Sequence, residues 1–167
     1  MAKILIIYYS LEGNTDWVAR ELAKETGADL FRLETVKEYP KKGFAKFFHG
    51  GKDAFTNACP ELKTPIPDIS AYDTIVIGTP VWAGRPASPI NTLLSLADFS
   101  NKKLAAFASC AGGKAGKTFT AIASSAKNTE SLFTTALFTN PLRQNENVME
   151  KIKTDVIKSF AKMILQK

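Results

Sequence analysis

The segment Lys3-Ile4-Leu5-Ile6-Ile7-Tyr8-Tyr9-Ser10-Leu11-Glu12-Gly13-Asn14-Thr15 decides the fold. Lys3 to Tyr9 is an apolar run without alternation, which suits a strand buried on both faces. A Gly/Asn turn ends it. From Asn14 the apolar spacing becomes helical: Trp17, Val18, Leu22 and Ala23 share one side, and the pattern ends near Gly27. A strand buried on both faces needs helices on both sides of its sheet, so this βα unit predicts others.

They follow along the chain. Asp29 to Leu33 reads as a second strand and Asp73 to Thr79 as a third, with Thr74-Ile75-Val76-Ile77 running into Gly78-Thr79-Pro80. Ser88 to Phe99 reads as a helix, with a hydroxyl suited to capping at its start and Pro89 in its first turn. Lys103 to Ser109 is a fourth strand, Thr118 to Lys127 lies in a helix, and Leu132 to Phe138 is a fifth strand. In the last helix Val148, Ile152, Val156, Phe160 and Ile164 recur every fourth residue, with lysines between them. Five such units predict an α/β fold: a three-layer, doubly wound, five-stranded parallel sheet with right-handed crossovers. No repeat, low-complexity run or linker divides residues 1–167, which are read as one domain. Such sheets bind ligands beyond the carboxyl ends of the strands, where the strand order reverses. The loops after strands one, three and four are therefore the expected site.

Composition narrows the classes. A chain of 167 residues can bury a sizeable core, and 45% hydrophobic with 23% charged residues is an ordinary globular balance. The net charge of +6 suits an anionic partner without choosing among nucleic acid, lipid and acidic protein. Nucleic acid is not expected, because the lysines are spread along the chain. The run from Ile4 to Tyr9 is far short of the roughly 20 apolar residues of a membrane span, and too short for a signal-peptide core. Cys59 and Cys110 make neither a disulfide framework nor a metal motif. The expectation is a cytoplasmic chain with no membrane span and no metal site.

The three loops carry the chemistry. A helix N-terminus holds phosphate with unpaired N–H groups and the positive end of its dipole. Ser10, Leu11, Glu12, Gly13, Asn14 and Thr15 lie where such a terminus begins. Gly13 lets the backbone come close, and Ser10, Asn14 and Thr15 add short donors. The loop holds no Lys or Arg, which suits a single phosphomonoester rather than a triphosphate. Glu12 would repel a phosphate, so it is expected to face solvent and offer only its backbone N–H. The second loop, Gly78-Thr79-Pro80-Val81-Trp82-Ala83-Gly84-Arg85-Pro86, offers a flat apolar face in Trp82. Stacking there is worth roughly 0.5–1.5 kcal/mol beyond buried area. The third, Ser109-Cys110-Ala111-Gly112-Gly113-Lys114-Ala115-Gly116-Lys117, has glycines that allow close approach to a ring.

Tyr9-Ser10-Leu11-Glu12-Gly13-Asn14-Thr15, directly after an N-terminal apolar strand, resembles the phosphate loop of the flavodoxin family. The resemblance covers nearly the whole chain and implies strand order 2-1-3-4-5 with FMN as cofactor. It implies that Thr79, Pro80, Val81, Trp82, Ala83 and Gly84 cover one face of the flavin and bond its edge through the backbone. Gly84 would also permit the peptide rearrangement that accompanies protonation at flavin N5. Ser109, Cys110, Ala111, Gly112 and Gly113 are the expected contacts of the third loop. Two features depart from the family pattern: Glu12 stands where Thr is common, and the third loop lacks the usual stacking Tyr, leaving the outer flavin face open.

Other features take plainer readings. Cys110 reads as a small apolar filler. Ala111 to Thr118 resembles a P-loop ending in Gly116-Lys117-Thr118, but Ala111 replaces the leading Gly and the match is read as coincidence. Arg85 has two readings: near the pyrimidine end of the ring, where its charge would raise the potential, or facing solvent. The connection from Glu34 to Tyr72 is longer than a tight crossover. Phe44, Phe47 and Phe48 at helical spacing, with Lys41, Lys42, Lys46 and Lys52 around them, read as an amphipathic helix whose basic face would greet an acidic redox partner. His49 reads as a structural or surface residue.

The implied function is an FMN-binding electron-transfer protein that cycles oxidised, semiquinone and hydroquinone flavin for a partner protein, with no side chain acting as acid or base. The alternative is an NAD(P)H-dependent FMN reductase of quinones or related small acceptors, favoured by the open flavin face and basic surface. A binding module that has lost its flavin is opposed by the intact Ser10, Gly13, Asn14 and Thr15.

Overall fold

The computed structural model describes residues 3–40, 50–126, 129 and 132–166. Its strands are β1 (Ile4–Tyr8), β2 (Asp29–Arg32), β3 (Thr74–Trp82), β4 (Arg85–Pro86), β5 (Lys103–Cys110) and β6 (Leu132–Thr139). The parallel sheet runs β2-β1-β3-β5-β6, and short β4 pairs antiparallel with the end of β3. With β4 set aside, this is the expected order 2-1-3-4-5. The reversal falls between β1 and β3, where Tyr8 pairs with Gly78.

The apolar run of β1 is buried throughout because each face has its own core. Ile4, Ile6 and Tyr8 pack with Val18 and Leu22 of α1 (Asn14–Thr26) and with Phe160 and Ile164 near the chain end. Leu5, Ile7 and Tyr9 pack with Ile90 and Leu93 of α2 (Ser88–Leu96) and Ile122 of α3 (Thr118–Ser125). Period-two alternation thus sorts one strand into two layers of helices. Gly78 sits at the centre, where a Cβ would lie 2.4 Å from the Phe107 ring.

Three local differences have physical causes. Ser88 is already helical and its buried hydroxyl caps nothing; Ala87 occupies the cap position and gives its N–H to Thr79 Oγ1 at 3.0 Å. The helix stops at Leu96, before Phe99, because Asp98 Oδ1 takes the Ser100 N–H in a tight turn. The final helix is α4 (Glu146–Lys151), a π-helical turn over Ile152–Ile157, and α5 (Lys158–Leu165). A strict four-residue spacing drifts around an α-helix of 3.6 residues per turn. The wider π turn shifts the buried stripe by one residue, so that Ile157 is buried and Val156 is 39% exposed.

In the long connection, Val36 N–H bonds Glu61 O and Lys63 N–H bonds Glu34 O. Residues 50–55 are helical. The expected helix carrying Phe44, Phe47 and Phe48, with Lys41, Lys42 and Lys46, lies outside the described residues, as does His49.

Candidate cofactor cleft

A cleft of about 390 Å³ opens beyond the carboxyl ends of β1, β3 and β5. The first loop lines it with Ser10, Leu11, Glu12, Asn14 and Thr15. Ser10 Oγ accepts the N–H groups of Gly13 and Asp16, both at 3.2 Å, which leaves its own hydrogen to donate. Gly13 makes the turn at φ +94°, and its carbonyl receives the Trp17 N–H. The N–H groups of Asn14 and Thr15 therefore have no acceptor within the helix. Asn14 Oδ1 accepts the Leu142 N–H at 3.1 Å, leaving its amide nitrogen to donate. Thr15 Oγ1 and Ser109 Oγ meet at 2.8 Å in the buried floor. Glu12 is exposed as expected, with Arg143 3.9 Å from its carboxylate.

A cation stands behind this loop, where the sequence reading placed none. Arg32 of β2 donates to Ser10 O at 3.0 Å and lies 3.6 Å from the Asp16 carboxylate. Tyr8 OH donates to the same carboxylate at 2.6 Å, and Arg20 pairs with it at 2.8 Å.

The second loop is more ordered than its Gly/Pro content suggested. β3 runs on to Trp82 and turns through Ala83 (φ +49°) and Gly84 (φ +73°) into β4. Positive φ at both central residues is the tight hairpin pattern that matches strand twist. Pro80, Val81, Trp82 and Ala83 line the cleft. Trp82 is held edge-on by Tyr9 at 5.6 Å and Tyr39 at 4.8 Å, and Gly50 lies against its ring. Burial pushes the Tyr9 hydroxyl up to about 12. Burial, then the hydrogen bond to Asp53, raises Tyr39. Thr79 is fully buried and its hydroxyl is spent on Ala87, so its side chain serves the hairpin base. Arg85 turns away from the cleft toward Asn57, at 3.2 Å.

The third loop lines the cleft with Ser109, Cys110 and Ala111. Gly112 and Gly113 are exposed beyond the lining, and Gly13 and Gly84 also stand outside it. In the P-loop-like stretch, Lys117 N–H is directed to Gly84 O at 2.6 Å. That amide ties two loops together and does not serve a phosphate.

Two lining residues were missed. Asn140 follows β6 at φ +37°, and its N–H bonds Cys110 O at 2.9 Å. An Asn-Pro pair after the fifth apolar run was a readable turn signal. Gly51 comes from the long connection, where no sequence pattern marked it.

Neutral hydroxyls and amides fill one end of the cleft, and Pro80, Val81 and the indole of Trp82 form its walls. Among the described residues, no Lys, Arg or His lines the cleft. A phosphomonoester joined to a flat ring fits this donor set. The doubly wound sheet and the cleft at its switch point define a mononucleotide-binding α/β protein. The chain belongs to the flavodoxin family: residues 3–153 match the family model described as Flavodoxin. Flavodoxins are FMN proteins, and the residues present suit that cofactor.

Solved structures agree on the fold. A flavoprotein of Lactobacillus acidophilus, crystallised in complex with FMN, is 26% identical over 82% of this chain and 93% of its own, with a TM-score of 0.69. A flavoprotein of Bacteroides eggerthii is 22% identical over the full length of both chains, with a TM-score of 0.72. Oxidised flavodoxin 1 of Bacillus cereus is 16% identical over 98% and 97%, with a TM-score of 0.56.

Proposed function

We propose that this FMN protein is an electron carrier that serves a partner protein. The observation that carries this reading is the chemistry of the lining. Among the described residues that line the cleft, the one carboxylate is Glu12, which pairs with Arg143, and none is a Lys, Arg or His that could move protons for a substrate. When bound, FMN supplies one- and two-electron redox chemistry. The chain supplies the rest. Ser10, Asn14, Thr15 and the first turn of α1 hold the phosphate. Pro80, Val81 and Trp82 exclude water from one face of the ring, with Tyr9 and Tyr39 bracing the indole. The complex of the Lactobacillus acidophilus flavoprotein with FMN supports the cofactor assignment.

A second reading has one observation in its favour. Ala111, Gly112 and Gly113 are exposed and place no aromatic ring over the cleft, which suits direct approach of NAD(P)H and a quinone-like acceptor. Stopped-flow mixing of the FMN-loaded protein with NAD(P)H separates the two. The carrier shows no direct flavin bleaching, whereas fast bleaching selects the reductase. A protein that stays colourless after incubation with FMN overturns both.

A further inference from the structure

Among the described residues, four cations stand in the segments around the hairpin side of the cleft. Lys52 follows the lining Gly51, and Arg85 follows the hairpin turn. Lys114 and Lys117 are exposed in the third loop, which is tied to that turn by the Lys117 N–H. The nearby carboxylates are engaged: Glu12 with Arg143, and Asp53 with the Tyr39 hydroxyl. Beside the cations Phe55 is 72% exposed, and the Arg85 guanidinium lies 5.9 Å from its ring. A large exposed aromatic next to Arg is the composition that binding hot spots favour. A mainly positive rim around it favours partners of opposite charge.

We propose that Phe55, Arg85, Lys52, Lys114 and Lys117 form the docking surface for an acidic redox protein, placed so that electrons cross beside the hairpin. This rests on the carrier reading. In each productive encounter one electron leaves a reduced centre and arrives at an oxidised one, with no bond formed or broken.

The test uses FMN-loaded protein, whose flavin spectrum is recorded first, so that failure to hold FMN is seen as failure of the carrier reading. The reduced protein is then mixed with ferricyanide, a one-electron anionic oxidant. Lys114→Glu with Lys117→Glu is compared with Lys103→Glu plus Lys158→Glu, which change the net charge equally at sites away from the rim. The low-salt rate falls about tenfold in the rim pair and less than about twofold in the remote pair. Equal losses overturn the proposal. A reduced acidic [2Fe–2S] ferredoxin is the protein probe for the oxidised holoprotein. Saturable, salt-sensitive reduction, with half-saturation raised about fivefold in Phe55→Ala, supports the surface. Reduction that neither saturates nor responds to Phe55→Ala overturns it.

Discussion

Arg32 shows how a residue remote in sequence braces the first loop. Its guanidinium holds the Ser10 carbonyl from behind and so fixes the start of the loop. It also offsets Asp16, a carboxylate in the first turn of α1. Arg32→Ala is expected to weaken FMN binding about five- to tenfold, a modest charge-assisted loss given its 43% exposure. Riboflavin, which lacks the phosphate, binds unchanged, and Arg32→Lys restores part of the loss. Flavin fluorescence titrations with both ligands check this. The same cluster predicts an alkaline limit. Burial, then the bond to Asp16, pushes Tyr8 up to about 12 from 10.0. A folded pKa raised above the unfolded one gives stability that is full below pH 10.0 and is lost as pH rises through about 12. Tyr8→Phe starts lower, by about 1 kcal/mol for the lost hydrogen bond. Its urea midpoint then declines less than that of the parent between these pH values. An equal decline in both proteins would refute the assignment to Tyr8.

At the scale of elements, the site depends on loops docking against one another. Gly116, at φ +56°, lets the third loop lie on the hairpin: a Cβ there would sit 2.7 Å from both the Cα and the O of Gly84. Gly116→Ala is therefore expected to cost about 2–3 kcal/mol, combining strain at positive φ with a backbone clash. Urea unfolding of the apo protein measures it; a loss below half a kilocalorie would mean the two loops separate freely. The sequence announced the elements better than their contacts. Unbroken apolar runs disclosed β1, β3 and β5 because a strand buried on both faces has no alternative pattern. The βα turn at Gly13 was legible for the same local reason. The extension of β3 to Trp82 was hidden by Gly and Pro, which ordinarily mark loops. The π turn at Ile152–Ile157 was hidden because the buried stripe follows tertiary packing instead of a fixed spacing. Gly51, Asn140 and Arg32 reach the cleft end only through the sheet order, a long-range property no local window contains.

At the scale of the whole molecule, the cleft is a junction of separate chain segments: residues 10–12 with 14–15, 51, 80–83, 109–111 and 140. In the unfolded chain they have no common location, so a ligand that needs all of them binds only the folded state. Linkage then makes FMN a stabiliser: at a free concentration 100 times Kd it adds about 2.7 kcal/mol. For a domain of this size each kcal/mol raises Tm by about 2–4 °C, giving an expected rise of about 5–11 °C. Riboflavin at the same concentration keeps the ring contacts with Val81 and Trp82 but forgoes Ser10, Asn14 and Thr15, so its shift is smaller. Arg32→Ala should bring the FMN shift down toward the riboflavin shift while leaving the latter in place. Thermal unfolding followed by circular dichroism, with and without each flavin, tests all three statements. If FMN and riboflavin stabilise the parent equally, the first loop does not hold the phosphate, whatever the ring does.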